Sequence, residues 1–153
     1  MGYISRVDVI TGTSPASATS ALVGAVMNGL QRYDWFTVDA IIIGGTGGTI
    51  DVTIQRKIGN LPNGTAVDLW VDWLRFPQVA AATTTKFSVN VASTNDIYTV
   101  GMVATAAFTA TLAADTSVGG HPGNSIRVVA TAGAGTSAGA VQTVYVTMWN
   151  AKS

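Results

Sequence analysis

The sequence contains no cysteine and no glutamate, and it has only one histidine. The absence of cysteine excludes disulfides and thiolate metal ligands. All eight acidic residues are aspartates, and they balance eight basic residues to a net charge of zero. Charged residues make up 10% of the chain, against about 25% in typical soluble domains. The 153 residues suit a single domain.

The low content of charged residues indicates which kinds of molecule the chain can bind. Charge repulsion helps to keep a monomer apart from its neighbours, so a neutral chain with 48% hydrophobic residues predicts surfaces that contact other subunits. The alternative is a soluble domain rich in threonine and serine. Nucleic-acid binding requires clustered basic residues, whereas only Arg56 and Lys57 are adjacent here. We therefore expect a homo-oligomer, either a dimer or a trimer, with no nucleic-acid partner.

Two long stretches without charge, Val9 to Gln31 and Ile97 to Ala114, raise the question of a membrane span. Glycine, proline and asparagine interrupt the first stretch, and threonine alternates with small apolar residues in the second. The N-terminus is also a poor signal peptide, because Asp8 stands where an apolar segment should begin. The sequence therefore predicts no membrane partner and cytoplasmic synthesis.

From Tyr33 onward, turn residues separate short segments of alternating apolar and polar residues, as expected for β-strands. The segment Thr49 to Ile58 alternates without interruption. Strands spaced in this way predict an all-β fold, a single jelly-roll-like β-sandwich of about eight antiparallel strands. The predicted strands are Trp35–Ile43, Thr49–Ile58, Val67–Phe76, Phe87–Val91, Ile97–Val103, Thr105–Leu112, Ser125–Thr131 and Val141–Trp149.

The first 31 residues differ from the remainder. Tyr3 to Ile10 is compatible with a short strand, and Thr11 to Ser20 is a linker of small residues. Ala21 to Leu30 fits either a helix or a strand, and the Asn28-Gly29 pair favours β or irregular structure. We therefore divide the chain into an extended N-terminal arm, residues 1–31, and a sandwich domain, residues 32–153.

No group of residues has the pattern of a catalytic or cofactor site. His121 stands in a His-Pro-Gly turn without a neighbouring nucleophile. Asp68 and Asp72 would lie roughly 13 Å apart on a strand, which is too far for a glycosidase pair. The Gly44–Gly48 run lacks the lysine of a phosphate-binding loop and precedes a strand. Calcium ligation by aspartates has no loop motif to support it. We expect no enzyme activity, no metal and no cofactor.

Aromatic and exposed apolar side chains are the better functional candidates, because aromatic residues bury large areas at interfaces with little loss of rotamer entropy. Trp73 is expected in the core, whereas Trp70 shares its strand face with aspartates and is expected to contact a partner or, alternatively, a sugar ring. The candidate interface residues are Tyr3, Leu22, Val26, Trp35, Trp70, His121 and Trp149.

Thr49–Arg56 contains the apolar-Gln pair Ile54-Gln55, and Asp68–Gln78 contains Trp70-Val-Asp72 and ends in Phe76-Pro-Gln78. These features resemble the small head proteins of tailed bacteriophages. In that family a strand with an apolar-Gln pair leads to a Trp-x-Asp strand and then to an aromatic-x-Gln exit, and two closing strands follow. The likeness covers about Trp35 to Trp149 and is carried by the segments Thr49–Arg56, Asp68–Gln78, Gly123–Ala130 and Val141–Trp149.

This resemblance implies a decoration or cement protein that sits on a virion capsid and bridges subunits of the major capsid protein. In that case the arm would extend contact to neighbouring subunits and add buried area. The alternatives are a tail or fibre module of a virion and a carbohydrate-binding module with an exposed tryptophan.

Overall fold

A computed structural model of the chain describes residues 5–13, 21–58, 69–92, 97–99, 103–105, 113–114, 116–118, 122–135 and 141–149. A 3-10 turn, Leu30–Arg32, is the one helical element among them, and the predicted all-β class is confirmed. The strands are β1 Ser5–Thr13, β2 Ala21–Val23, β3 Met27–Asn28, β4 Trp35–Ile43, β5 Gly48–Ile58, β6 Leu69–Arg75, β7 Thr84–Ala92, β8 Ile97–Thr99, β9 Val103–Thr105, β10 Thr116–Val118, β11 Ser125–Gly135 and β12 Val141–Trp149.

The strands form two sheets. Sheet A has the order β1-β12-β4-β7-β8, and sheet B has the order β2-β11-β5-β6-β10-β9, with β3 also paired to β11. The pairing is nested, since β1 pairs with β12, β2 and β3 with β11, β4 with β7, and β5 with β6. This nesting is compatible with the predicted jelly roll. One detail differs from the expectation, because β9 and β10 pair in parallel.

The core lies between the sheets, where the strand alternation directs apolar side chains inward. Along β4 every second residue from Phe36 to Ile42 is buried, and the inward positions of β5 and β12 are buried in the same way. The rings of Phe36 and Trp73 meet edge to face at 6.3 Å, and Phe76 stacks on Phe87 at 5.2 Å. These contacts join the two sheets, and Trp73 anchors the core as predicted.

A β-bulge in β6 alters its alternation. The register with β5 pairs Leu74 with Ile54 but Asp72 with Gln55, which leaves Trp73 as the extra residue. Trp73 and Leu74 are therefore both fully buried. Simple alternation would put Leu74 on the strand face of Trp70 and Asp72, but the bulge turns this residue into the core.

The described strands before Gln31 belong to the two sheets. β1 pairs with β12 along its whole length, and β2 and β3 pair with β11. These backbone pairings lie within the same chain, and the division into an arm of residues 1–31 and a sandwich domain of residues 32–153 stays a prediction. The expectation of β or irregular structure from Ala21 to Leu30 is confirmed, and Gly29 has φ +84° at the start of the 3-10 turn.

Several strand boundaries differ from the predicted ones. β7 begins at Thr84 rather than Phe87, and β11 continues beyond Thr131 to Gly135 across a register shift. β10 was not among the predicted strands, because three residues followed by two glycines have too little pattern to show a strand. Residues 106–112, which were predicted as a strand, fall outside the described residues.

The glycine run between β4 and β5 is packed against the loop that follows β6. A Cβ atom on Gly44 would lie 2.0 Å from the carbonyl oxygen of Ala80. The Gly44 N–H donates to the Thr83 carbonyl at 2.7 Å, and the Ala82 N–H donates to the Gly45 carbonyl at 3.0 Å. Glycine is thus required at position 44 by close backbone contact, beyond the turn conformation expected from the sequence.

Candidate interaction surfaces

The face of sheet A that points away from the core carries little charge. The strands β4, β7 and β12 contain two charged residues, Asp39 and Lys86. The outward positions of β4 and β12 are half-buried in their centres, and the two ends of β4, Trp35 and Ile43, are exposed by 37% and 42%. We call this surface the outer face of sheet A.

Threonine is the commonest residue near the middle of this face. Thr37 lies between Thr147 of β12 and Asn90 of β7, and its hydroxyl donates to the Asn90 side-chain oxygen at 2.7 Å. Ile41 lies between Thr143 and Lys86. A surface of this kind offers methyl groups and short hydroxyls, which pack against a partner at a small desolvation cost.

Two of the predicted interface residues meet at one end of this face. Trp149 of β12 occupies the register position directly opposite Trp35 of β4. Residues that are directly opposite on antiparallel strands lie on the same face with Cβ atoms about 5 Å apart. Sheet pairing therefore brings together two tryptophans that are distant in the sequence.

The outer face of sheet B has a different chemistry. Arg127 Nε donates to Gln55 Oε1 at 2.9 Å, and Gln55 Nε2 donates to Asp72 Oδ1 at 2.9 Å. The Arg127 guanidinium also lies over the Trp70 ring, 4.4 Å from its centroid. These four side chains, which we call the Trp70 network, satisfy much of one another's hydrogen-bonding capacity.

A second polar cluster lies on the same sheet. Asp51 accepts from Arg75 Nη2 at 3.1 Å through one oxygen and from Gln78 Nε2 at 3.0 Å through the other. Asp51 is only 7% exposed, so its carboxylate depends on both donors for the hydrogen bonds that water would otherwise supply. This Asp51 cluster fixes the segment after β6 to β5.

A polar cavity of about 440 Å³ opens where β3, β5 and β11 meet. Its lining residues are Asn28, Lys57, Gly123, Asn124 and Ser125. The Ser125 hydroxyl donates to Asn28 Oδ1 at 2.6 Å, and the Gly29 N–H donates to Asn124 Oδ1 at 3.1 Å. Nearby in the chain, burial lowers the pKa of the Arg56 guanidinium below its ordinary value. The cavity amides are largely engaged in holding the 3-10 turn.

The remaining sequence candidates are dispersed. Val26 is 46% exposed beside β3. Leu22 lies in β2, where its backbone pairs with Ala130. Tyr3 and His121 fall outside the described residues, as do Asp68 and Asp115. The structure thus brings Trp35 and Trp149 together and places Trp70 on the opposite sheet. The interface role of each of these residues stays a prediction.

Exposed apolar residues that the sequence reasoning passed over include Val23, Ile43 and Leu69. Ile43 and Leu69 stand at strand ends, where the alternation pattern does not distinguish a core position from a surface position. Gln55 and Arg127 were also missed. They lie far apart in the sequence, and only the pairing of β5 with β11 sets them opposite each other.

Among the described residues, no group of three or more acidic or histidine side chains is placed to hold a metal ion. None of the helical structure in the same residues is long and apolar enough to cross a bilayer.

No protein-family model matches the chain, and no curated protein matches it. Among solved structures the chain is similar to a pilus protein of Bacillus endospore appendages, described as disulfide-linked pili. The identity is 13% and the TM-score 0.42, over 99% of this chain and 89% of that one.

Two further solved structures are virus particles. A nora virus protein gives 17% identity and a TM-score of 0.35, over 97% of this chain and 59% of that one. A protein of the T13 infectious bursal disease virus particle gives 13% identity and a TM-score of 0.37, over 95% and 35%. These neighbours are pilus and virus-particle proteins.

Proposed function

We propose that this chain is a non-enzymatic structural subunit of a virion that decorates or cements a bacteriophage capsid by contacting subunits of the major capsid protein. The observation that carries the proposal is the outer face of sheet A, with two charged residues on its three long inner strands and exposed apolar residues at both ends of β4. Such a surface is stabilised by burial against another subunit.

The chain's overall composition supports the same proposal. A net charge of zero with 10% charged residues provides little repulsion between copies. The likeness of Thr49–Arg56 and Asp68–Gln78 to phage head proteins adds the expectation of a shell site and a virion location. Cementing a shell requires many modest contacts and no chemistry, because repeated weak contacts add up through multivalency.

Light scattering after size-exclusion chromatography, together with electron microscopy of the native assembly, tests this proposal. We expect an oligomer in solution and repeated density for the chain on a capsid surface, with sheet A facing the neighbouring subunit. A protein that stays monomeric and leaves capsids undecorated would overturn it. Density in a tail ring or a trimeric stalk would instead support a tail or fibre module.

Three matched variants test which sheet contacts the partner. Trp35→Lys and Ile43→Lys introduce charge on the outer face of sheet A, and Leu69→Lys introduces it at an apolar residue of sheet B with a similar exposure of 43%. We expect the first two to abolish association and the third to retain it, with all three unfolding at similar denaturant concentrations. Loss of association in the Leu69 variant alone would reject sheet A as the contact face.

A carbohydrate-binding module is the second candidate, and the Trp70 network favours it. A half-buried tryptophan beside glutamine, aspartate and arginine side chains is suited to sugar rings and hydroxyls. It ranks lower because Arg127 already covers one face of the ring. Glycan-array binding that is lost on Trp70→Ala and retained on Trp35→Ala would establish it, and absence of binding would remove it.

A further inference from the structure

The outer face of sheet A carries two charged residues of opposite sign, and they are neighbours. Asp39 lies at the midpoint of β4 on the outward side and pairs with Ser88 of β7. Lys86 lies two positions before Ser88 in β7 and pairs with Ile41. Residues directly opposite each other share a face, and diagonal neighbours such as Asp39 and Lys86 lie roughly 7–8 Å apart. One anion and one cation therefore stand side by side near the centre of this face.

The outward residues around these two charges are uncharged. Tyr145 of β12 lies opposite Asp39, and Thr37 and Ile41 precede and follow Asp39 on the same side of β4. Asp39 is half-buried and Lys86 is exposed. Within the part of the chain that the structure describes, the two groups form no ion pair with each other. Burying a charge without an opposite charge is costly, so a partner that covers this face must place a cation over Asp39 and an anion over Lys86.

A second copy of this chain carries that arrangement. We propose that the outer face of sheet A packs against the same face of a second copy in solution, about a two-fold axis that lies in the interface and passes midway between Asp39 and Lys86. This axis exchanges the two positions, so Asp39 of each copy faces Lys86 of the other and two unlike pairs form. A closed dimer uses the same patch on both copies, and the patch must therefore complement itself. One anion and one cation on a single face meet this condition.

The size of the face sets the strength of the contact. The strands β1, β12, β4 and β7 have nine residues each and lie side by side in sheet A. At the usual strand spacing and rise they cover roughly 19 Å by 30 Å, or about 570 Å². Two such faces bury roughly 1,100 Å², just below the range of standard specific interfaces. We therefore expect a reversible dimer with a dissociation constant on the order of micromolar or weaker.

This inference rests on the proposed function and deepens it, because it names the subunit that covers the outer face of sheet A in the free protein. The same face is proposed to contact the capsid, so a copy engaged in the self-contact cannot use it for a capsid at the same time. A weak dimer suits such an exchange, since it covers the apolar ends of β4 in solution and is outcompeted by the repeated contacts of a shell.

Charge reversal tests the two unlike pairs. Asp39→Lys places four basic side chains at the centre of the contact, and Lys86→Asp places four acidic ones there. Like charges that face each other across an interface oppose association, so we expect each variant to raise the dissociation constant of the dimer by roughly tenfold or more in low salt. Sedimentation over a concentration series that extends above the dissociation constant measures this change.

Mixing the two single variants distinguishes a contact between copies from an ion pair within one copy. A copy of Asp39→Lys and a copy of Lys86→Asp form two unlike pairs across the axis, so their mixture should show a heterodimer that neither variant forms alone. An ion pair within one chain is lost in both variants, and mixing them cannot restore it. In about 1 M salt, where the Debye length falls to roughly 3 Å, the differences among the variants should shrink.

Lys57→Asp is the matched control. It changes the net charge by the same amount as Lys86→Asp, but it lies in β5 of sheet B, where Lys57 is also exposed. We expect this variant to dimerise like the wild type. Urea unfolding of every variant, followed by circular dichroism, shows whether each is folded, so that a change in association can be assigned to the contact.

Three results would overturn the self-contact. The first is a mixture that does not associate although both variants are folded. The second is a set of charge variants that all associate like the wild type while Trp35→Lys abolishes association. The third is a wild type that stays monomeric throughout the concentration series and yet decorates capsids. In the second and third cases the proposed function stands. If the wild type neither associates nor decorates capsids, the proposed function fails as well, so the two failures are distinguishable.

Discussion

The two outer faces of the sandwich differ in how many charged residues they carry and in how their polar side chains are bonded. Both belong to antiparallel strands with inward apolar residues, yet β4, β7 and β12 carry two charged residues while β5, β6 and β11 carry six. On sheet B the charges bond to one another through the Trp70 network and the Asp51 cluster. On sheet A, threonines and terminal apolar residues occupy the corresponding positions. Sheet B has completed much of its polar bonding internally, whereas the outer face of sheet A is the surface that we propose contacts a partner.

Among the changes that test this difference between the faces, removing the Asp51 carboxylate should have the largest effect on the free energy of unfolding. Asp51→Ala leaves Arg75 and Gln78 without their shared acceptor in a nearly buried position. We expect a loss of roughly 3 kcal/mol in the free energy of unfolding, measured by urea denaturation. The matched change on sheet A is Asp39→Ala, for which we expect a change within about 0.5 kcal/mol. Equal effects at the two sites would contradict the difference between the faces.

A smaller effect is expected at the link between two strands of sheet B. Gln55→Leu removes the amide that joins Arg127 to Asp72 and should lower the free energy of unfolding by about 1–2 kcal/mol. On sheet A, Thr143→Val replaces a half-buried hydroxyl by a methyl group on a central strand. This change should be neutral within about 0.5 kcal/mol, because valine suits a strand as well as threonine does. A neutral result for Gln55→Leu would mean that the network contributes no stability.

The smallest expected effect tests the stacking of Arg127 on Trp70. Arg127→Lys keeps the charge but loses the planar guanidinium that bonds Gln55 and covers the ring. We expect a loss of about 0.5–1 kcal/mol, accompanied by a change in tryptophan fluorescence. The control is the reverse exchange, Lys86→Arg, at an exposed position of sheet A, which also keeps the charge. It should leave the free energy of unfolding and the tryptophan fluorescence unchanged. A comparable loss of unfolding free energy in Lys86→Arg would show that exchanging one cation for another is enough to cause the effect. The contact with Trp70 would then not be its cause.

Residue patterns predicted most of the central strands, because alternation over seven or more residues indicates both that the segment is a strand and which of its faces is buried. The segment Thr49 to Ile58 is an example, with Ile50, Val52 and Ile54 all fully buried. The bulge at Trp73 could not be assigned from the sequence, because the adjacent apolar pair Trp73 and Leu74 breaks the alternation without showing which residue is extra until the partner strand is known. Position 44 could likewise be read as a turn glycine, but its contact with Ala80 arises only from tertiary packing.

The candidate surfaces were harder to predict than the strands. Tryptophans and exposed apolar residues could be named individually, yet their grouping depends on strand pairing between distant segments. Trp35 meets the position of Trp149 through the pairing of β4 with β12, and Gln55 meets Arg127 through the pairing of β5 with β11. Composition predicts that a contact surface exists, whereas the register decides which residues form it.

The nested pairing of the strands has a consequence for how the molecule is made. β1 leaves the ribosome before its partner β12, and most of the other strands lie between the two in the sequence. Until then β1 and the side of β4 that β12 will occupy have no strand to pair with. Contacts between such distant segments slow folding, and unpaired strand edges invite association with other chains. During synthesis, closure of β12 against β1 and β4 therefore competes with premature pairing between nascent copies.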